Sequence, residues 1–316
     1  MLYGKYIFSC ILDGETILPP YKGSTFRGVF GTALKKVVCA LKLQNCEDCL
    51  LKNKCIYSLA FETRWVEPAD KAKKHTASPP HPYVIEPANN PKTHFGKGET
   101  FDFNLILFGQ INDYLPYFIY AIEQMGRIGI GKKIDGKRAG FELENVINED
   151  GKIVYNRHDG KMNNSECCRN IDLQDFSRDI GKPVSGLEII IETPLRLKFR
   201  NKLEATLPFH ILTRAALRRI SLLYNYYGDG EPPIDYKGLV KRANDIEIES
   251  SAVEWVDWKR YSNRQEQSML MGGIIGNIGY GGDIAEFLPI LRLCEKFHLG
   301  KQTTFGLGKF TISKVL

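Results

Sequence analysis

Four of the eight cysteines fall in one short window, spaced Cys39-x6-Cys46-x2-Cys49-x5-Cys55. A Cys-x-x-Cys pair grips one tetrahedral Zn2+ from a short turn, and two flanking thiolates complete the shell. The expectation is a structural zinc site, closed by four sulfurs and without an open position for chemistry. The spacing is tighter than that of a zinc ribbon, so an iron–sulfur cluster and a set of reduced thiols stand as alternatives. The six histidines are scattered. His75, His81 and His94 lie in expected loops and His158 in a polar linker, which leaves His210 and His298 beside regular elements. Imidazole titrates in the right range for either proton role near neutral pH. The plainer use of each is to cap or pack a helix end.

Charge forms a second pattern. In "RLKFRNK", Arg196, Lys198, Arg200 and Lys202 alternate with Leu195, Leu197, Phe199 and Asn201. Strand period puts the four cations on one face, where they repel unless an anion lies over them. The functional reading is a track for a polyanion; the structural one is an edge strand guarded against aggregation. Near the carboxyl end, "FHLGKQTTFGLGKFTI" (297–312) sets Gly300, Gly306 and Gly308 among Lys301 and Lys309. This is no Walker loop, which requires G-x-x-x-x-G-K-[ST] ahead of a helix, because it follows a helix and precedes a strand. Glycines there permit close approach of a sugar-phosphate backbone, or simply a tight turn.

Something must position these groups. The chain has 316 residues, 43% hydrophobic and 25% charged, with net charge +6. That suggests two domains with real cores and permits, without requiring, an anionic partner. Neither a secretory signal nor an apolar run long enough for a bilayer is visible. Eight cysteines without an export signal then fit the reducing cytoplasm.

The C-terminal half reads β-α-β-β-α-β. A strand spans 186–200 and a helix 207–227. Two strands follow, joined by "NRQEQ", then a helix ending in "EKFHLG" and a closing strand. The N-terminal half repeats the order more loosely: a strand from residue 3, a helix from a Ser/Thr cap at 24–25, and a cysteine-rich insertion at 39–61. "HPYVIEP" is taken as its second strand, "ETFDFNLILFG" as its third, followed by a helix capped by Asn112 or Asp113 and a last strand. The junctions "MGRIGIGKKIDGKRAGFELENV" and "FHLGKQTTFGLGKFTISKV" echo each other as helix, glycine-rich basic loop, strand. Duplication of one unit is the economical reading. The expected fold class is α+β, with tandem ferredoxin-like (RRM-like) βαββαβ domains. The first spans 1–153, a linker 154–183, and the second 184–316. In such a unit, the loop after the first strand, the central hairpin and the loop after the second helix share one end. In the second half that end gathers His210, the Arg260–Tyr261 and Arg264 turn, and His298 with Lys301.

"WVDWKRYSNRQ", "MGGIIGNIGYGGDIAEFLPIL" and "FHLGKQTTFGLGK" closely resemble the C-terminal domain of CRISPR-associated RAMP proteins that process precursor CRISPR RNA. "FRGVFGTALKKVVC", the cysteine group and "HPYVIEP" are similar to the N-terminal half of one subgroup. The resemblance implies a cytoplasmic endoribonuclease that cuts repeat RNA without a metal. The 2′-hydroxyl attacks the adjacent phosphate and leaves a 2′,3′-cyclic phosphate and a 5′-hydroxyl. Many relatives carry a catalytic histidine near the first helix; here "PPYKGSTFRGVFGTALKK" offers only Tyr21, Lys22 and Arg27. The catalytic candidates are therefore His298 and His210, with Tyr261 to orient or replace a base. Lys301, Arg260, Arg264, Arg196, Lys198, Arg200, Lys202 and Arg27 are the candidate RNA contacts. The implied partner is precursor CRISPR RNA. The alternative is a non-catalytic RAMP subunit that holds guide RNA in an effector complex.

Overall fold

The computed structural model describes residues 1–42, 44–63, 66–69, 78–163, 167–179, 183–197, 206–262 and 267–316, with backbone alone at 258–262 and 267–270. The chain divides into two compact units, 1–170 with 223–230 and 171–222 with 231–316.

The first βαββαβ run comprises β1 (Leu2–Leu12), α1 (Gly23–Val38), β2 (Tyr83–Pro87), β3 (Thr100–Phe108), α2 (Leu115–Ile128) and β4 (Phe141–Asn148). All pairings are antiparallel and the strand order is β4-β1-β3-β2, the ferredoxin-like arrangement. The period-2 pattern of β1 explains its place at the centre. Tyr6, Phe8, Cys10 and Leu12 are buried, while Lys5, Ile7, Ser9 and Ile11 stay partly exposed on the other face. Phe26, Phe30, Ala33 and Leu34 give α1 an apolar stripe at helical spacing. That stripe meets the sheet through ring contacts: Phe26–Phe103 at 5.3 Å, with Phe8 stacked on Phe103 at 5.3 Å. Short strands at Ile153–Asn156 and Lys161–Met162 extend the sheet beyond β4, and Arg169–Asn170 pairs with the start of β1. Part of the stretch expected as linker is thus sheet.

Two expected helix caps are replaced. Helix α1 starts at Gly23 with Lys22 as its N-cap residue, and α2 follows a 3-10 turn with Tyr114 at its N-cap; neither has a side-chain cap. Asn112 is instead buried, accepting from the Tyr6 hydroxyl at 2.9 Å and donating to Gly109 at 2.8 Å. A buried phenol needs a partner, and that demand takes Asn112 away from the helix.

The second run comprises β5 (Gly186–Leu195), α3 (Phe209–Tyr227), β6 (Glu247–Ser262), β7 (Gln267–Gly281), α4 (Leu288–Phe297) and β8 (Phe310–Val315). Its order, β6-β7-β5-β8, is the same arrangement read from the other edge. Strand β5 stops at Leu195, short of the expected 200, with an irregular register between Ile191 and Leu195. Proline at 194 brings no N–H to a ladder. Beyond it, the chain's carbonyls are taken by a loop, as described below. Strands β6 and β7 continue together past the Leu195–Ile274 pair as far as Ser262–Gln267, forming a two-stranded ribbon beyond the end of β5.

Helix α2 approaches β4 so closely that a Cβ on Gly126 would lie 2.1 Å from the Phe141 carbonyl oxygen. Alanine ordinarily favours a helix over glycine by about 1 kcal/mol. Here the backbone contact reverses the sign. Gly126→Ala is expected to destabilise by about 1–3 kcal/mol, read as a lower urea midpoint; an unchanged or higher midpoint would refute this.

Candidate functional site

The glycine loop is built against the end of β5. Gly308 N–H donates to Pro194 O at 3.1 Å, Lys301 N–H to Arg196 O at 3.1 Å, and Leu299 N–H to Gly308 O at 2.9 Å. The Thr193 hydroxyl donates to Gly306 O and accepts from Lys309 N–H, both at 2.9 Å. Gly300, Gly306 and Gly308 have φ of +80°, +81° and +73°, a region that side-chain-bearing residues avoid. A Cβ on Gly308 would lie 1.8 Å from Leu299 O, and one on Gly300 2.7 Å from Arg196 O. The chain's own backbone accounts for these glycines. Thr303 to Gly308 are buried, while Gly300 and Lys301 are exposed.

His298 is fully buried at 0% exposure, with φ +56° and Nδ1 3.1 Å from Leu307 O. Just before it, Arg219 sends Nε and Nη2 to the Phe297 carbonyl at 3.2 and 2.9 Å. A cation on a last-turn carbonyl satisfies an orphan acceptor and the negative end of the helix. The enclosed ring braces the loop through Leu307. His210 differs. It is partly exposed, in the first turn of α3, the helix that follows the cationic segment. The Arg260 and Tyr261 backbones lie on the ribbon, opposite Met269 and Ser268. Arg264, Lys198, Arg200 and Lys202 lie outside the described residues. Arg196 follows β5 and is partly buried. Arg219 and Thr193, which tie the loop down, had no signal in the sequence, because their partners are backbone carbonyls 78 and 113 residues away.

A family model described as CRISPR-associated endoribonuclease Cas6 matches residues 189–310, and the AF_1859_N model, an N-terminal domain, matches 1–167. The second half of the chain thus matches the Cas6 endoribonuclease family and the first half the AF_1859_N family. The chain is 28% identical over 302 residues to an uncharacterized protein of Archaeoglobus fulgidus, covering 93% of this chain and 92% of that one. Among solved structures, a Cas6 product complex has a TM-score of 0.58 at 12% identity, over 98% of this chain and 99% of that one. Thermus thermophilus Cas6 gives 0.55 at 11% identity, over 98% of each. A chain of a partial Cas6-RT-Cas1–Cas2 complex gives 0.57 at 14% identity; all of this chain is covered, but only 46% of that one. Such identities speak to the fold, which is shared throughout. No helix among the described residues is long and apolar enough to cross a membrane.

Within this Cas6-type framework two expectations change. Arg27 lies within the first unit, its guanidinium 5.1 Å from the Phe61 ring centre. Burial pushes the Tyr83 hydroxyl up to about 12, and the Arg27 charge beside it pulls the other way. That cation serves the packing of α1 against Phe61 and Tyr83. The second change concerns zinc. Cys39, Cys46, Cys49 and Cys55 are free, half-buried thiols, and no group of three or more His, Cys, Asp or Glu among the described residues is placed to hold a metal. Spacing along a chain permits four sulfurs to meet; it does not make them do so. Burial pushes the Cys46 thiol up, with Lys35 opposing and Glu62, Cys55 and Cys39 adding to the rise.

His298→Ala is expected to cost about 2–4 kcal/mol of stability through the lost hydrogen bond and the cavity. At temperatures where the variant is folded, RNA cleavage should stay within about tenfold of the parent. A folded variant that had lost cleavage by orders of magnitude would make the ring catalytic. Cys46→Ser should unfold within about 1 kcal/mol of the parent, and the parent should carry no stoichiometric zinc by metal analysis. Loss of zinc and of folding together would restore the metal site.

Proposed function

We propose that the protein cuts the repeats of precursor CRISPR RNA, without a metal ion, by internal transesterification. The observation that carries the reading is the match of 189–310 to the Cas6 endoribonuclease model, over the run that holds the glycine loop, the ribbon and His210. In the proposed step the ribose 2′-oxygen forms a bond to phosphorus as its proton leaves for a base. The bond from phosphorus to the 5′-oxygen breaks, and that oxygen takes up a proton. The products are a 2′,3′-cyclic phosphate and a 5′-hydroxyl. His210 is assigned the proton transfer, since it is the partly exposed imidazole at the end of the unit where β5, the ribbon and the glycine loop meet. Tyr261 orients the attacking hydroxyl. Lys301, Arg260, Arg264 and Arg196 offset the charge growing on the phosphorane, and Lys198, Arg200 and Lys202 continue the track for the backbone.

A second reading, a RAMP subunit that binds guide RNA without cutting it, draws support from the burial of His298, which leaves the glycine loop no accessible imidazole. One experiment separates the two. Repeat RNA incubated with the protein in EDTA should yield a single cut with a 2′,3′-cyclic phosphate end. His210→Ala should slow it by about 10²–10⁴-fold while RNA affinity is retained. Tight binding of RNA that is recovered intact would replace the first reading by the second, and cleavage that needs added metal would refute the mechanism.

A further inference from the structure

In the first unit the segment between α2 and β4 occupies the same place in the topology as the glycine loop of the second. It is built differently. Ile130–Ile134 and Lys137–Ala139 form a two-stranded hairpin turning on Asp135 and Gly136, whose φ of +48° and +81° suit a two-residue hairpin turn. Its base is held firmly. Ile130 is buried, its carbonyl accepts from the Thr16 hydroxyl at 3.0 Å, and a Cβ on Gly131 would lie 2.7 Å from Ile17 O. Ile17 in turn pairs with His94, and Asp13 N–H donates to Gly140 O at 3.1 Å. The loop after β1, the β2–β3 connection and this hairpin therefore meet at one end of the unit.

Everything from Lys132 to Arg138 is exposed. Those seven residues carry four cations, Lys132, Lys133, Lys137 and Arg138, against the single carboxylate of Asp135. None of the four cations has a hydrogen bond or ion pair among the described residues. The second unit's loop is the contrast: of its two lysines, Lys309 is held by Glu192 at 3.1 Å and only Lys301 is exposed. Like charges crowded on one hairpin repel, and among the described residues no ion pair offsets them. A lipid surface is a poor fit, since Ile134 is the hairpin's one exposed apolar side chain and a surface anchor needs an apolar face.

We propose that the 130–139 hairpin is a second binding site for an RNA backbone, gripping phosphates through Lys132, Lys133, Lys137 and Arg138. This rests on the RNA-processing reading above and adds to it a contact in the first unit. The full-length protein would be titrated against fluorescein-labelled single-stranded RNA of mixed sequence at salt from about 50 to 200 mM. The fourfold alanine variant is expected to bind about tenfold or more weaker, with the log–log salt slope shallower by roughly 2–3. Lys132→Arg/Lys133→Arg/Lys137→Arg should keep both affinity and slope, which guards against a folding artefact. If the parent binds and the alanine variant matches it in affinity and slope, the hairpin proposal falls while the function stands. If the variant keeps RNA affinity but loses retention on a polyaspartate column, the hairpin serves an acidic protein and the proposal also falls. A parent that binds no RNA takes down both.

Discussion

Between Thr193 and Arg196 the first strand of the second unit has left its ladder with β8 and lends its backbone to the glycine loop. The Pro194 and Arg196 carbonyls and the Thr193 hydroxyl hold Gly306, Gly308, Lys301 and Lys309 in place. Most of the unit's candidate chemistry follows from this seam. It ends β5 at Leu195 and leaves Lys301 at the surface. The approach is backbone to backbone, so no residue with a side chain can replace Gly308 without moving Leu299.

His298 and Arg219 belong to the same construction. The helix before the loop must end abruptly, and its last carbonyls need donors. Arg219 supplies two to Phe297, while the His298 ring reaches across to Leu307. A histidine beside a glycine-rich basic loop invites a catalytic reading. Its sealed position and positive φ show a residue recruited to shape the turn, and they shift attention to His210, which shares that end of the unit but remains open to solvent.

The two βαββαβ runs place different structures at equivalent points. One has a loop folded onto its own strand, with most of its surface buried. The other has a short hairpin whose base is clamped by Thr16 and whose tip carries exposed cations. Duplicated topology conserves where a segment emerges. Local sequence decides whether it turns inward or outward: an Asp-Gly pair closes a hairpin, whereas three glycines spread over nine residues let the chain collapse onto a neighbour.

The amino-acid sequence by itself determined the order of elements, the repeated βαββαβ run and the likeness of the second half to Cas6-type proteins. Those depend on local periodicity, on turn residues and on motifs that survive reading one residue at a time. It carried "HPYVIEP" as a strand and the 16-residue α1 nearly to its ends. It misjudged the caps of α1 and α2 and the end of β5, because Asn112 and the carbonyls beyond Leu195 were claimed by partners distant in sequence. Four cysteines at short spacings suggested a metal site for which no ligand group is assembled among the described residues. Whether a side chain faces water, another backbone or a sulfur is a property of packing between segments far apart in the chain. Only the tertiary structure decided that His298 is buried, His210 partly exposed, Arg27 set over Phe61, and the Lys132–Arg138 hairpin exposed.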